Sequence, residues 1–322
     1  MPTIETALTR LLDIQHPILL SPMYGTSGGR LAAAVTHAGG LGMFGAGMQP
    51  KEMIPMWHAE TGNARVGIGF IQWRLEQEPE TLDIALDRKP AAIMLSFGDP
   101  TRFAPQIKAA GCKLICQVQS VEGARVAADA GADVIVAQGR DAGGHAGTMR
   151  GTMGLVPAAV DAVAPIPVVA AGGIADGRGL AAAVSLGAAG VLMGTRFSVT
   201  QESLQSDSMK TVITKAKGDQ TAQTRVFDIV REAGWPSVYP GRVLRNEFFE
   251  RWHGHEEELA ASPALPRTAL LATAEDDYTQ RVVWAGEGVD LIHDVPTARE
   301  LVERIVAEAV AALRCGSGMV RG

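Results

Sequence analysis

The chain has 322 residues, 47% hydrophobic and 20% charged, enough for one large domain or two modest ones with real cores. Its 29 Lys and Arg against 35 Asp and Glu give a formal net charge of −6, and with no basic tract this excludes a nucleic-acid or anionic-membrane binder. No apolar run approaches the roughly 18–20 residues of a membrane helix.

The N-terminal MPTIETALTRLLDIQHP has no basic cluster followed by an apolar stretch, so no secretory signal is read there. The cysteines, Cys112, Cys116 and Cys315, are odd in number and fit a reducing compartment. The expectation is a cytoplasmic enzyme.

From there one unit repeats: a short apolar run, then an Ala-rich segment of helical period ending in Gly. The runs are ILLSPM from Ile18, LGMFGA from Leu41, VGIGFI from Val66, AIMLSF from Ala92, KLICQV from Lys113, DVIVAQ from Asp133, PVVAAGG from Pro167 and GVLMGT from Gly190. Strands apolar on both faces and alternating with helices predict a parallel sheet covered by helices. Eight such units in about 200 residues predict an α/β fold of the (β/α)₈ TIM-barrel type rather than an open sheet.

Gly40, Gly42 and Gly45 form a G-x-G-x-x-G pattern, but they lie along a strand and not in a strand-to-helix turn, so a Rossmann site is rejected. Cys112 and Cys116 have no metal-ligand spacing and read as buried thiols; no metal site is expected. Between Asp133 and Pro167 the run starts are 34 residues apart, against 20 to 26 elsewhere. The extra length, RDAGGHAGTMRGTMG, follows the sixth strand, where a barrel places its active-site loops. Within it His145 stands between Gly144 and Ala146, with room to approach a ligand and a side chain suited to proton transfer near neutrality.

After the seventh run comes Ala171-Gly172-Gly173-Ile174-Ala175-Asp176-Gly177, and after the eighth Met193-Gly194-Thr195-Arg196. In barrels this pair of loops commonly grips phosphate through backbone N–H groups and a helix N-terminus. Thr195 adds a hydroxyl donor and Arg196 a charge. Together the two loops favour a phosphate grip over a tight turn alone, and leave open whether the phosphate belongs to cofactor or substrate.

From 201 to 285 the repeat gives way to longer amphipathic segments holding eight of the sixteen aromatic residues. This predicts a helical cap, inserted after strand eight, on a barrel made of 1–200 and 286–322. Most of its rings are expected to fill the cap's own core. The closing TARELVERIVAEAVAALR is an amphipathic helix suited to complete the outer ring. Without metal, nucleophile signature or paired acids, an organic cofactor should carry the chemistry.

These motifs, with HPILLSPM, DAGGHAG, AAGGIADGRGL, MGTRF and WAGEGVDLI in that order, resemble the nitronate monooxygenase family of FMN-dependent barrels over most of the chain. The resemblance implies FMN with its phosphate on Gly172, Gly173, Gly194 and Thr195. Pro22, Met23, Gln117 and Gln138 would contact the flavin, with Gly69, Gly143 and Ala171 on the same cofactor surface. His145 matches the family's active-site histidine. The implied activity is oxidation of alkyl nitronates by reduced flavin and O₂. The implied partners are therefore a small-molecule nitronate or related anion and O₂, with homodimer formation left open.

Two positions depart from the family pattern: Gly69 stands where Asn is common, and Gln117 where a basic residue often is. Related members are NAD(P)H-dependent enoyl-acyl carrier protein or quinone reductases with the same loops, so the alternative activity is a flavin reductase.

Overall fold

The structure, a computed structural model, describes residues 3–319. Each apolar run becomes a parallel strand: β1 (Ile18–Leu20), β2 (Met43–Gly45), β3 (Gly67–Ile71), β4 (Ala92–Ser96), β5 (Lys113–Val118), β6 (Val134–Gln138), β8 (Val168–Ala171) and β9 (Gly190–Met193). A two-residue strand, β7 (Gly144–His145), lies in the long loop after β6. The eight parallel strands form one sheet in the order β1-β9-β8-β6-β5-β4-β3-β2. A parallel bridge between Leu19 and Leu41 joins its ends, with Leu41 N donating to Ile18 O and Leu20 N to Leu41 O, both at 3.0 Å. The result is the expected TIM barrel.

Alternation along the strands sorts side chains into two cores. Leu19, Met43, Met94, Ile115, Val136 and Leu192 pack inside the barrel. Ile18, Phe44, Ile68, Leu95, Leu114 and Ile135 face the helices, as do Cys112 and Cys116. The helix Ala7–Leu12 adds Leu8 and Leu12 to the inner cluster, and Thr6 Oγ1 donates to Ala189 O at 2.6 Å beside the start of β9. It therefore closes the N-terminal floor of the barrel, a role its sequence did not announce. Gly42 serves packing: a Cβ there would overlap the backbone of Ala32. The helix Ala298–Gly318 packs against the helices Gly177–Ser185 and Gly29–His37 and completes the outer ring.

The segment between β9 and that last helix carries the helices Asp207–Lys215, Val226–Arg231, Glu247–Trp252, Glu256–Ala261 and Ala264–Ala272. In addition it holds two short strands, β10 (Thr221–Thr224) and β11 (Gly241–Leu244). β11 pairs antiparallel with β10 on one side and with β7 on the other, placing Gly241 opposite His145. Four-residue strands are too short to show a period of two, so the sequence displayed only the helices. Phe227, Phe248 and Phe249 fill the segment's own core with Leu259 and Leu270.

Candidate functional site

The C-terminal ends of the barrel strands open into one cleft roofed by the inserted segment. The expected catalytic histidine and the eleven residues expected on the cofactor surface all line it: Pro22 and Met23 after β1, Gly69 on β3, Gln117 on β5, Gln138 on β6, Gly143 and His145 in the sixth loop, Ala171, Gly172 and Gly173 at the end of β8, and Gly194 and Thr195 after β9. Common placement follows from topology, since parallel strands bring these loops to one rim.

Gly172 and Gly173 have φ of 112° and 68°, backbone that only glycine adopts easily. A Cβ on Gly172 would also lie 2.7 Å from Thr152 Oγ1. Among the described residues, the backbone N–H groups of Gly172, Gly173, Gly194 and Thr195 donate to no protein acceptor. Thr195 Oγ1 accepts from Gly286 N at 3.1 Å and keeps its own proton to donate. Four free amides and a hydroxyl along one rim are the donor set that a phosphate monoester requires, so these residues fit the phosphate of the expected FMN.

Two parts of the expected grip are corrected. The helix Gly177–Ser185 offers no free N-terminus, because Asp176 accepts from Arg178 N at 2.9 Å and Gly179 N at 3.2 Å, and Glu308 from Gly177 N at 2.9 Å. Arg196 does not face the cleft. It is buried, with Nη2 on Asp294 Oδ1 at 2.6 Å and Nη1 on Asp294 O at 3.2 Å. Any phosphate here is met by amides rather than by that guanidinium.

His145 lies on β7, and its carbonyl accepts from Gln138 Nε2 at 3.0 Å. Gln138 Oε1 in turn accepts from Gln117 Nε2 at 3.2 Å and Gln119 Nε2 at 2.9 Å. The imidazole Nε2 is 3.0 Å from both carboxylate oxygens of Asp228. Trp235 stacks on the ring, centroids 3.4 Å apart and planes 6° from parallel, and Trp284 lies at 5.0 Å. A carboxylate accepts only, so Nε2 carries a hydrogen, and in that tautomer Nδ1 is the nitrogen able to accept a proton. Among the described residues Nδ1 has no hydrogen-bond partner.

Asp228, Trp235 and Trp284 are the residues that sequence reasoning missed. Trp235 and Trp284 wall the cleft, and Trp284 also packs against the insert's own core. One weak signal was present: FDIVREAGW concentrates Asp228, Arg231 and Trp235 within one short stretch. Nothing local ties it to a histidine 83 positions earlier.

The two departures also have a physical setting. A Cβ on Gly69 would overlap the Pro22 ring, so the missing side chain makes room for Pro22. Gln117 supplies a neutral amide in the chain to Gln138. Among the described residues, Arg231 is then the sole Lys or Arg lining the cleft. Opposite the glycine rim, Phe97 adopts φ of 64°, a left-handed conformation unusual for a bulky residue, and sets its ring edge-on to Trp235 at 5.0 Å and Tyr239 at 5.1 Å.

A sequence model described as nitronate monooxygenase matches residues 63–308. A Rhodococcus jostii protein named (3aS,4S,5R,7aS)-5-hydroxy-7a-methyl-1-oxo-octahydro-1H-indene-4-carboxyl-CoA dehydrogenase is 30% identical, over 96% of this chain and 97% of its own length. A nitronate monooxygenase of Neurospora crassa is 32% identical over 95% of this chain and 93% of its own. The solved structure of FabK from Thermotoga maritima superposes with a TM-score of 0.86 at 32% identity, covering 99% of this chain and 100% of that one.

Proposed function

This chain belongs to the nitronate monooxygenase family, and from that premise we propose that it is an FMN-dependent enzyme oxidising small alkyl nitronates with O₂. That it is an oxidoreductase of this family follows from the match itself. The observation that carries the finer reading is the imidazole with Nε2 fixed on Asp228 and Nδ1 bare, in the same cleft as four free amides.

FMN, when bound, supplies the two-electron acceptor and the centre that reacts with O₂. The amides of Gly172, Gly173, Gly194 and Thr195, with the Thr195 hydroxyl, hold its phosphate. Pro22, Met23, Gly69, Gly143 and Ala171 would line the flavin's part of the cleft, with the Gln117 and Gln138 amides as polar neighbours. Where the neutral nitroalkane is presented, His145 would take its α-carbon proton at Nδ1 and leave the nitronate that is oxidised, while Asp228 holds the tautomer and stabilises the imidazolium that results. Trp235 and Trp284 wall the proton-transfer site with apolar surface and limit water there.

A reductase acting on a thioester is the second reading, and the 30% identity to a relative named for a carboxyl-CoA substrate favours it. Anaerobic mixing separates the two. Purified protein is expected to be yellow and to release FMN on denaturation, and propionate 3-nitronate is expected to bleach the flavin band. Bleaching by NADH or NADPH without any response to nitronates overturns the monooxygenase reading. A colourless protein that FMN does not reconstitute overturns both.

A further inference from the structure

Arg231 ends the helix Val226–Arg231, one turn after Asp228 and on the same face. Its Nε donates to Phe227 O at 3.0 Å. Its guanidinium carbon lies 5.6 Å from the Trp284 ring centroid, and that ring is 5.0 Å from His145. The residue is exposed by surface area and lines the cleft. Among the described residues, Nη1 and Nη2 donate to nothing and no carboxylate forms an ion pair with them. The nearest acid, Asp228, has both oxygens on His145.

Burial lowers the Arg231 pKa from the usual arginine range, opposed by the charges of Asp228 and Tyr24 and reinforced by Arg281. An arginine nevertheless stays charged, so the cleft holds a guanidinium whose terminal nitrogens no carboxylate contacts directly.

With Nε occupied, the two terminal nitrogens form the edge of the fork that matches two oxygens on one planar centre. We propose that Arg231 recognises the charge of the substrate: Nη1 and Nη2 receive a planar two-oxygen anion, a nitronate or a carboxylate, beside the His145 imidazole. The identity of the reacting group rests on the function proposed above; the anion site does not. If the guanidinium served only to stack on Trp284 and tie down Phe227 O, its loss would affect charged and neutral ligands alike.

The test is calorimetric titration of the FMN-loaded protein with benzoate, with its neutral isostere benzamide, and with inorganic phosphate. Wild type is expected to prefer benzoate to both. Arg231→Gln should weaken benzoate by about ten- to a hundredfold, the loss of a charge-assisted pair, and leave benzamide unchanged. Arg231→Lys should recover part of the affinity, since it keeps the charge and loses the fork. Equal benzoate affinity in wild type and Arg231→Gln overturns the proposal, as does an equal loss of benzoate and benzamide. Failure of wild type to bind benzoate, or tighter binding of phosphate, overturns it too. Flavin bleaching by nitronates is measured separately, so either reading can fail while the other stands.

Discussion

Replacing Asp228 with Asn keeps the outline of the side chain and removes its charge from the imidazole. The pair is well sheltered, with the His145 and Asp228 side chains 11% and 9% exposed, so salt screens it little. A hydrogen bond to a charged partner contributes about 1.5–3 kcal/mol, and the imidazolium formed as Nδ1 gains its proton is the species that loses it. That range corresponds to a fall of about 10- to 150-fold in turnover. The Asn amide can also turn its NH₂ toward Nε2, which would move the ring hydrogen to Nδ1 and block proton acceptance altogether. Steady-state oxidation of a nitroalkane should therefore show kcat reduced, with KM and FMN content close to wild type. In a His145→Ala background the same substitution should cost nothing further, because the two residues act as one unit. An unchanged kcat, or an equal loss in both backgrounds, would refute a role for Asp228 through His145.

Two further outcomes follow from the packing. Burial, aided by the Asp133 charge, pushes the Cys116 thiol up to about 12, and burial also raises Cys112, while Cys315 is exposed. A thiol reagent at pH 8 should therefore titrate one cysteine in the native protein and three in denaturant; prompt labelling of two or more in the native state would contradict the barrel packing.

The Arg304 hydrogen bond, then the Arg196 and Arg304 charges, hold the Asp294 carboxyl below its usual range against some burial. A depressed carboxylate stabilises the fold above its unfolded pKa of about 3.9, and that contribution is lost as pH falls through the folded value. Asp294→Asn should cost about 1–3 kcal/mol at pH 7, discounted because the aspartate is half exposed, and the gap to wild type in urea unfolding should close below about pH 4. A gap that is constant with pH would show that the pair adds nothing.

The barrel was legible because its code is local. Each of the eight strands is a contiguous apolar run, and the glycines of the rim sit in turns that their neighbours define. His145 was legible for the same reason, being the histidine in a lengthened glycine-rich loop. Its partners were not. Asp228, Trp235 and Trp284 reach it only after β11 pairs with β7, a contact set by tertiary packing over nearly a hundred residues. Arg196 was misread because its position beside a glycine turn carries no information about which way the side chain points. Burial against Asp294 decided that. The floor helix was silent because Leu8 and Leu12 look like any amphipathic pair until the barrel gives them somewhere to go.

The three-stranded seam of β10, β11 and β7 divides the labour of the enzyme between two lengths of chain. Everything assigned to hold the proposed phosphate belongs to the repetitive barrel, whereas the rings and charges flanking the imidazole arrive on a single stretch further along the chain. Changes confined to that stretch can retune reactivity and substrate choice while leaving the glycine turns untouched, so divergent chemistries can share one such rim.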